Sequence, residues 1–158
     1  MFMIYLNNLD ELSYSAIYEF LLKADKLFPV PISQKCNLLD YSLKLHEKAT
    51  VCAFEEKGKI VAMVAGYTEN TENNLAYIAI VAALKQVQRK GIITKLLTDF
   101  FNIAKEKRLD AVHLYTCREN DAARSLYQKL GFVEWHPIDE KRSEDLHLIY
   151  YLSNSCKE

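Results

Sequence analysis

The apolar run Leu75–Ala83 is preceded by the polar cluster Thr68–Asn74 and followed by Lys85-Gln86-Val87-Gln88-Arg89-Lys90, with Gly91 at the corner. From Ile92 the period changes, and Ile93, Leu96, Leu97, Phe100 and Ala104 fall on one helical stripe. The pattern predicts a buried strand, a cationic turn and a helix N-terminus, which together present backbone N–H groups to a phosphate. An ordinary strand–turn–helix with solvated Lys and Arg has the same pattern and is the commoner case. The rest of the chain has to decide between them.

Upstream, Phe2–Leu6 reads as a short first strand. Asp10 is placed to cap a helix whose apolar residues Leu12, Ala16, Ile17, Phe20, Leu21 and Ala24 recur at helical spacing. Phe28-Pro29-Val30-Pro31-Ile32 must end it, because neither proline continues the ladder. Ser33 is the expected N-cap of a second helix running to about His46, with Leu38, Leu39, Ser42 and Leu45 inward. Thr50–Glu55 and Lys59–Tyr67 read as paired strands joined by a tight Lys57-Gly58 turn, and Thr68–Asn74 loops into the Leu75–Ala83 strand.

Downstream, the central helix is expected to end near Lys107, and Ala111–Thr116 is another strand. The long connection from Ala83 to Ala111 permits a right-handed crossover, so these two strands should be parallel neighbours. Asn120 opens a further helix, with Ala122, Ala123, Leu126, Tyr127 and Leu130 inward and Gly131 as its C′ residue. Phe132–Trp135 and Leu146–Leu152 read as the last strands, separated by a polar loop from Pro137 to Asp145. The expectation is a single α+β domain over residues 1–158 with a mixed sheet.

Composition narrows the functional classes. With 50% hydrophobic and 26% charged residues the chain has the balance of a water-soluble globular protein. Its net charge of −1 offers no basic footprint for nucleic acid. No apolar run is long enough for a membrane span, and Met1–Leu6 is too short for a signal-peptide core. Cys36, Cys52, Cys117 and Cys156 are widely spread with no C-x-x-C pairing, so neither structural zinc nor a disulfide framework is expected. Cys52 and Cys117 sit in predicted strands, where cysteine behaves as a small hydrophobe. A cytoplasmic setting is the expectation.

The reading becomes specific at Asn120-Asp121-Ala122-Ala123-Arg124-Ser125-Leu126-Tyr127-Gln128-Lys129-Leu130-Gly131-Phe132. This stretch resembles the N-x-x-A-x-x-L-Y-x-x-x-G-F signature of the GNAT (Gcn5-related N-acetyltransferase) superfamily. About thirty residues earlier, Gln88-Arg89-Lys90-Gly91-Ile92-Ile93 resembles that family's Q/R-x-x-G-x-G/A acyl-CoA loop. The order of predicted elements also resembles the GNAT fold: a mixed, mostly antiparallel six- to seven-stranded sheet flanked by four helices. The likeness is close over Val51–Phe132, and the flanks follow in outline. The Phe28–Ser33 segment resembles a turn found in one subgroup.

The resemblance implies that the two central parallel strands splay apart and that pantetheine lies between them as a pseudo-strand, on Val81, Ala82 and Ala83. It implies a pyrophosphate seat on the N–H groups from Arg89 through Lys90, Gly91 and Ile92 to Ile93, introduced by Gln88. Asn120 and Ala123 belong to the same cofactor-binding set, although Asn120 also reads as an N-cap and Ala123, Leu126 and Phe132 as packing residues. Tyr127 matches the tyrosine expected to protonate the departing CoA thiolate. Lys85, Arg89, Lys90 and Lys95 are candidate partners for CoA phosphates.

The implied activity is transfer of an acetyl group from acetyl-CoA to a primary amine by direct attack, with no metal, no nucleic acid and no membrane involved. A catalytically silent acyl-CoA-binding or protein-interaction module of the same fold is the alternative, and N- and O-acylation are not separated. Assembly into a homodimer is left open. Three positions depart from the loop pattern: Lys85 where many relatives carry proline, Arg89 where many carry glycine, and Ile93 where most carry a second small residue. Ile93 is the one that bears on the pyrophosphate seat. Leu75–Ala83 also lacks the carboxylate that often serves as general base. Tyr77, His113 and Glu119 are candidates near the cleft, each with a structural role as its plainer reading. Tyr14, Phe28, Tyr67, Trp135 and His136 are candidates to line the acceptor side.

Overall fold

The computed structural model describes residues 2–7, 13–69, 71–136, 142 and 144–152. Seven strands form one sheet: β1 (Phe2–Asn7), β2 (Thr50–Glu56), β3 (Lys59–Tyr67), β4 (Leu75–Ala83), β5 (Ala111–Cys117), β6 (Val133–Glu134) and β7 (Asp145–Tyr151). Their order is β1-β2-β3-β4-β5-β7-β6. Every neighbouring pair is antiparallel except β4 and β5, which are parallel. Among the described residues there are four α-helices: α1 (Tyr14–Ala24), α2 (Leu38–Lys48), α3 (Ile92–Glu106) and α4 (Asp121–Leu130). No helix among the described residues is long and apolar enough to cross a membrane.

The helices divide between the two faces of the sheet. Successive strand residues point to opposite faces. Position 66 faces Phe100 of α3, while the ring of Tyr67 lies beneath Lys44 of α2. The side chains of Leu96, Leu97, Phe100 and Ala104 on α3 are fully buried, as are Ile17, Phe20 and Leu21 of α1. Fully burying a Leu or Phe side chain contributes about 1.5–3 kcal/mol. Hydrophobic burial therefore fixes helix placement on both faces.

Several predicted boundaries shift for local reasons. Asp10 and Leu12 lie outside the described residues, and α1 is capped by Ser13, whose Oγ accepts the Ala16 N–H at 3.2 Å. Ser33 is not the cap of α2. Its N–H and hydroxyl both donate to the Asp25 carboxylate, tying the proline-containing turn to the end of α1. Asn37 caps α2 instead, accepting the Asp40 N–H at 3.0 Å. Leu39 points outward at 40% exposure while Leu38, Ser42 and Leu45 are buried, and Ala122 of α4 is exposed. The Lys57-Gly58 turn has both residues at positive φ (52° and 78°), which is the geometry of a two-residue hairpin. The cysteines Cys36, Cys52 and Cys117 are unpaired, and Cys156 lies outside the described residues.

Two irregularities shape the middle of the sheet. The parallel β4–β5 pairing holds only at Leu75↔Ala111, Ala76↔Val112 and Tyr77↔His113, after which the strands part. On the other side of β4 the register with β3 slips, so that Gly66 faces Ile78 while Ala65 faces Ile80, and Ala79 has no opposite partner. This β-bulge bends β4 at the place where it leaves β5. Gly66 makes room for it: a Cβ there would lie 2.3 Å from the Tyr77 carbonyl oxygen, 2.8 Å from Ile78 Cα and 2.9 Å from Phe100 Cζ.

We expect Gly66→Ala to destabilise the chain by about 1–3 kcal/mol through overpacking. The measurement is the urea midpoint at unchanged m-value. A wild-type midpoint would show that the bulge has slack.

Candidate active site

Beyond Tyr77, the β5-facing edge of β4 from Ile78 to Ala83 is not paired to β5, although the strand stays in register with β3 except at the bulged Ala79. The gap opens into a cavity of about 740 Å³. Val81, Ala82 and Ala83 line it, as do Thr116 and Cys117 from the diverging end of β5. Small side chains at positions 82 and 83 let a ligand approach the strand backbone. The Gln88 amide closes the far end of the strand, donating to the Ala83 carbonyl at 2.9 Å.

After β4 the chain makes a single 3₁₀ turn, Lys85–Val87, anchored by the buried Val87. Arg89 and Gly91 both take left-handed backbone (φ 64° and 77°), and α3 begins at Ile92. Its first intrahelical bond is Lys95 N–H to the Gly91 carbonyl, and no side chain caps the helix. The amides of the first turn are therefore free of intrahelical partners, at the positive end of a helix of 15 residues. A Cβ on Gly91 would meet nothing, so glycine serves the backbone angle there and not the space.

The departure at Ile93 has a structural place. Ile92 and Ile93 both pack against the hydrophobic core while lining the cavity, so side-chain bulk leans inward at the helix start. Lys95 forms an ion pair with Asp99 at 2.8 Å, one turn along α3.

From the opposite wall α4 contributes Asn120, Ala122, Ala123, Leu126 and Tyr127. The Asn120 Oδ1 caps the helix by accepting the Ala123 N–H at 3.2 Å, which leaves its amide nitrogen as a donor. Gly131 ends the helix at φ 106°, and Phe132 then folds back so that its ring meets Tyr127 edge-on at 5.3 Å. Tyr127 is only 5% exposed, and burial raises its hydroxyl well above the ordinary tyrosine range. It keeps its proton at neutral pH and is available as a hydrogen-bond donor or acid.

Of the residues singled out from the sequence, Val81, Ala82, Ala83, Gln88, Arg89, Gly91, Ile92, Ile93, Asn120, Ala123 and Tyr127 meet around this one cavity, and Lys90 is not part of its lining. On the other side of the parting, Phe28, Tyr67 and Tyr77 line the cavity, whereas Tyr14, Trp135 and His136 do not. Glu119 is engaged by the Cys117 thiol at 2.9 Å and stands outside the lining. His113 sits behind Tyr77, with its Nδ1 2.9 Å from Nε2 of His147 and Trp135 edge-on at 5.7 Å.

Sequence reasoning missed Tyr41, Lys44, Tyr115, Arg142 and Asp145, which all line the cavity. The Tyr41 hydroxyl donates to the carbonyl of the bulged Ala79 at 3.5 Å, and burial disfavours its ionisation as well, raising its pKa. Helical spacing places Tyr41 beside Leu38 and Leu45, and that was the one available signal for it. Arg142 lies in the polar stretch before β7 and Asp145 is the first residue of that strand, and neither belongs to a periodic pattern in the sequence.

The sheet order, the parted parallel strands and the uncapped helix at their mouth make up the fold that the resemblance implied. The profile of the acetyltransferase (GNAT) family matches residues 14–132. The chain belongs to that family, whose members are acyltransferases that use acetyl-CoA.

Among solved structures, the ribosomal-protein-S18-alanine N-acetyltransferase of Escherichia coli superposes with a TM-score of 0.73 at 18% identity, covering 99% of this chain and 98% of that one. The PaiA N-acetyltransferase of Thermoplasma acidophilum, solved with coenzyme A, gives 0.70 at 15% identity, covering 96% and 99%. At these identities the likeness is one of fold. In sequence, N-alpha-acetyltransferase 30 of Schizosaccharomyces pombe is 36% identical over 59 residues, which are 37% of this chain and 39% of that protein. The GCN5-related N-acetyltransferase 6, chloroplastic, of Arabidopsis thaliana is 31% identical over 83 residues, 51% of this chain and 28% of that protein. The matched stretch thus spans less than half the length of these curated relatives.

The His113 environment gives a pH prediction. Burial, then the neighbouring His147, lowers its pKa from 6.5 to about 4. The unfolded chain therefore binds the proton more readily, and His113 contributes stability above pH 6.5 that is lost as pH falls towards 4. We expect the melting temperature to fall less steeply across that window in His113→Gln than in wild type. Parallel curves would contradict the assignment.

Proposed function

We propose that the chain transfers an acetyl group from acetyl-CoA to a primary amine by direct attack, within one domain over residues 1–158. The observation that carries this reading is the meeting, in one cavity, of three features: the unpaired edge of β4, the uncapped N-terminus of α3 and the buried Tyr127 hydroxyl.

In this reading pantetheine runs along Val81, Ala82 and Ala83 as an added strand, taking main-chain hydrogen bonds that β5 leaves unused. The pyrophosphate sits on the N–H groups of Arg89, Lys90, Gly91, Ile92 and Ile93, where the helix dipole and the unpartnered amides both favour an anion. Lys90 takes part through its backbone, and Gln88 holds the end of the strand against the turn. Asn120 offers its amide nitrogen to the pantetheine arm, and Ala123 keeps the α4 wall low enough for that arm to pass.

The amine nitrogen attacks the thioester carbon while a backbone N–H of β4 stabilises the developing oxyanion. The carbon–sulfur bond breaks, and the Tyr127 O–H protonates the leaving thiolate. The proton lost by the amine passes to water in the cleft. Asp145, the sole carboxylate among the described lining residues, is engaged by Arg142 at 2.7 Å.

The test is release of CoA thiol with a panel of amines, wild type against Tyr127→Phe. Removing the acid should lower kcat by about 10²-fold or more and leave the KM for acetyl-CoA within a few-fold, because the hydroxyl meets charge on sulfur only as the bond breaks. If acetyl-CoA raises the melting temperature but no amine turns over, the chain is a binding module. If acetyl-CoA gives no thermal shift at millimolar concentration, the cofactor assignment fails as well.

A further inference from the structure

On the α2 face of the sheet, cations and aromatic rings alternate along the wall of the cavity. Lys44 Nζ lies 5.4 Å from the ring centroid of Tyr67. Tyr67 stacks on Tyr77 at 6.5 Å with planes 10° apart. The Tyr77 hydroxyl accepts from Arg142 Nη1 at 3.3 Å, and the guanidinium carbon of Arg142 stands 4.6 Å from the ring centroid of Tyr115. Lys35 faces the same space. Against these three cations stands one carboxylate, Asp145, which accepts the Arg142 Nε–H at 2.7 Å.

This arrangement selects by charge. An aromatic face attracts a cation, but Tyr67 and Tyr115 already carry one from the protein. A second positive charge on the acceptor would find no unengaged carboxylate among the described lining residues, and it would enter a space lined by Lys35, Lys44 and Arg142. An anion would meet the opposite. A guanidinium has five N–H donors. Arg142 spends one on Asp145 and one on Tyr77, so part of its fork is left for a carboxylate. Its half-buried setting strengthens such a bond relative to water.

Position matters as much as charge. Tyr77 precedes the bulged Ala79 by two residues, or about 7 Å of strand, and Tyr77, Ala79 and Arg142 line the same cavity as the unpaired strand edge.

We infer that the acceptor is a small amine bearing a carboxylate close to its amino group, as in a free amino acid, with the carboxylate on Arg142 and the body against Tyr77 and Tyr115. The inference rests on the acetyltransferase reading and adds the acceptor class to it.

The test is calorimetric and needs no turnover. The intact chain is first titrated with CoA; if CoA does not bind, the acetyltransferase reading fails and the acceptor inference with it. The CoA complex is then titrated with the standard amino acids and with their α-amides. At least one free acid should bind about ten-fold or more tightly than its amide, the range of a charge-assisted hydrogen bond. Arg142→Gln should remove that gap and Arg142→Lys should restore part of it, each variant checked for wild-type affinity for CoA. CoA binding with equal affinity for acid and amide, with no amino acid bound at millimolar concentration, or with a gap that survives Arg142→Gln would overturn the acceptor inference alone. Equal binding of neutral short peptides to wild type and Arg142→Gln would point instead to a peptide N-terminus.

Discussion

The molecule is organised by the point at which β4 and β5 stop pairing. Backbone N–H and C=O groups in a sheet are obligatory hydrogen-bonding groups, and a central strand normally spends them on both neighbours. Here β4 pairs with β3 from Tyr77 to Ala83, interrupted by the bulge at Ala79, but with β5 only from Leu75 to Tyr77. An unpaired strand edge must find water or another chain as partner. In the proposed reading pantetheine, an extended amide chain, completes the ladder with the geometry of a strand. The bulge at Ala79, the glycine at position 66 and the α3 ring of Phe100 beneath it all maintain this parting.

The electrostatics follow from the same geometry. Because β4 leads through one short turn into α3, the end of the unpaired edge and the positive end of the helix lie side by side. One ligand can then use both, neutral amides along the strand and anionic phosphates at the helix. Ile92 and Ile93 are partly buried against the core at the helix start, and both also line the cavity. The hydroxyls of Tyr127 and Tyr41 are both held neutral by burial, on opposite sides of the parting. In the proposed mechanism the first is the proton donor, while the second reaches the bulged Ala79 carbonyl.

Much of this was legible beforehand. The bounds of β4 follow from an uninterrupted apolar run between two polar segments, and those of α4 from an Asn at one end and a Gly at the other, each tied to a specific cap. The parallel pairing followed from connection length. Features set by tertiary contact were not legible. Ser33 has the right chemistry for a cap, but its hydrogen bonds go to Asp25, a choice made by the fold of the turn. The slip at Ala79 leaves no mark in a run of small and branched residues. The ladder from Lys44 to Tyr115 joins α2, three strands and the segment before β7, and no spacing rule connects residues that far apart.

The most direct test of the central claim is a crystal structure of the intact chain with coenzyme A. The account predicts pantetheine amides hydrogen-bonded to the β4 backbone between Ala79 and Ala83, the pyrophosphate on the amides from Arg89 to Ile93, and the thiol turned towards Tyr127. Coenzyme A bound elsewhere, or a β4–β5 pair that zips closed beyond Tyr77 in its presence, would contradict it.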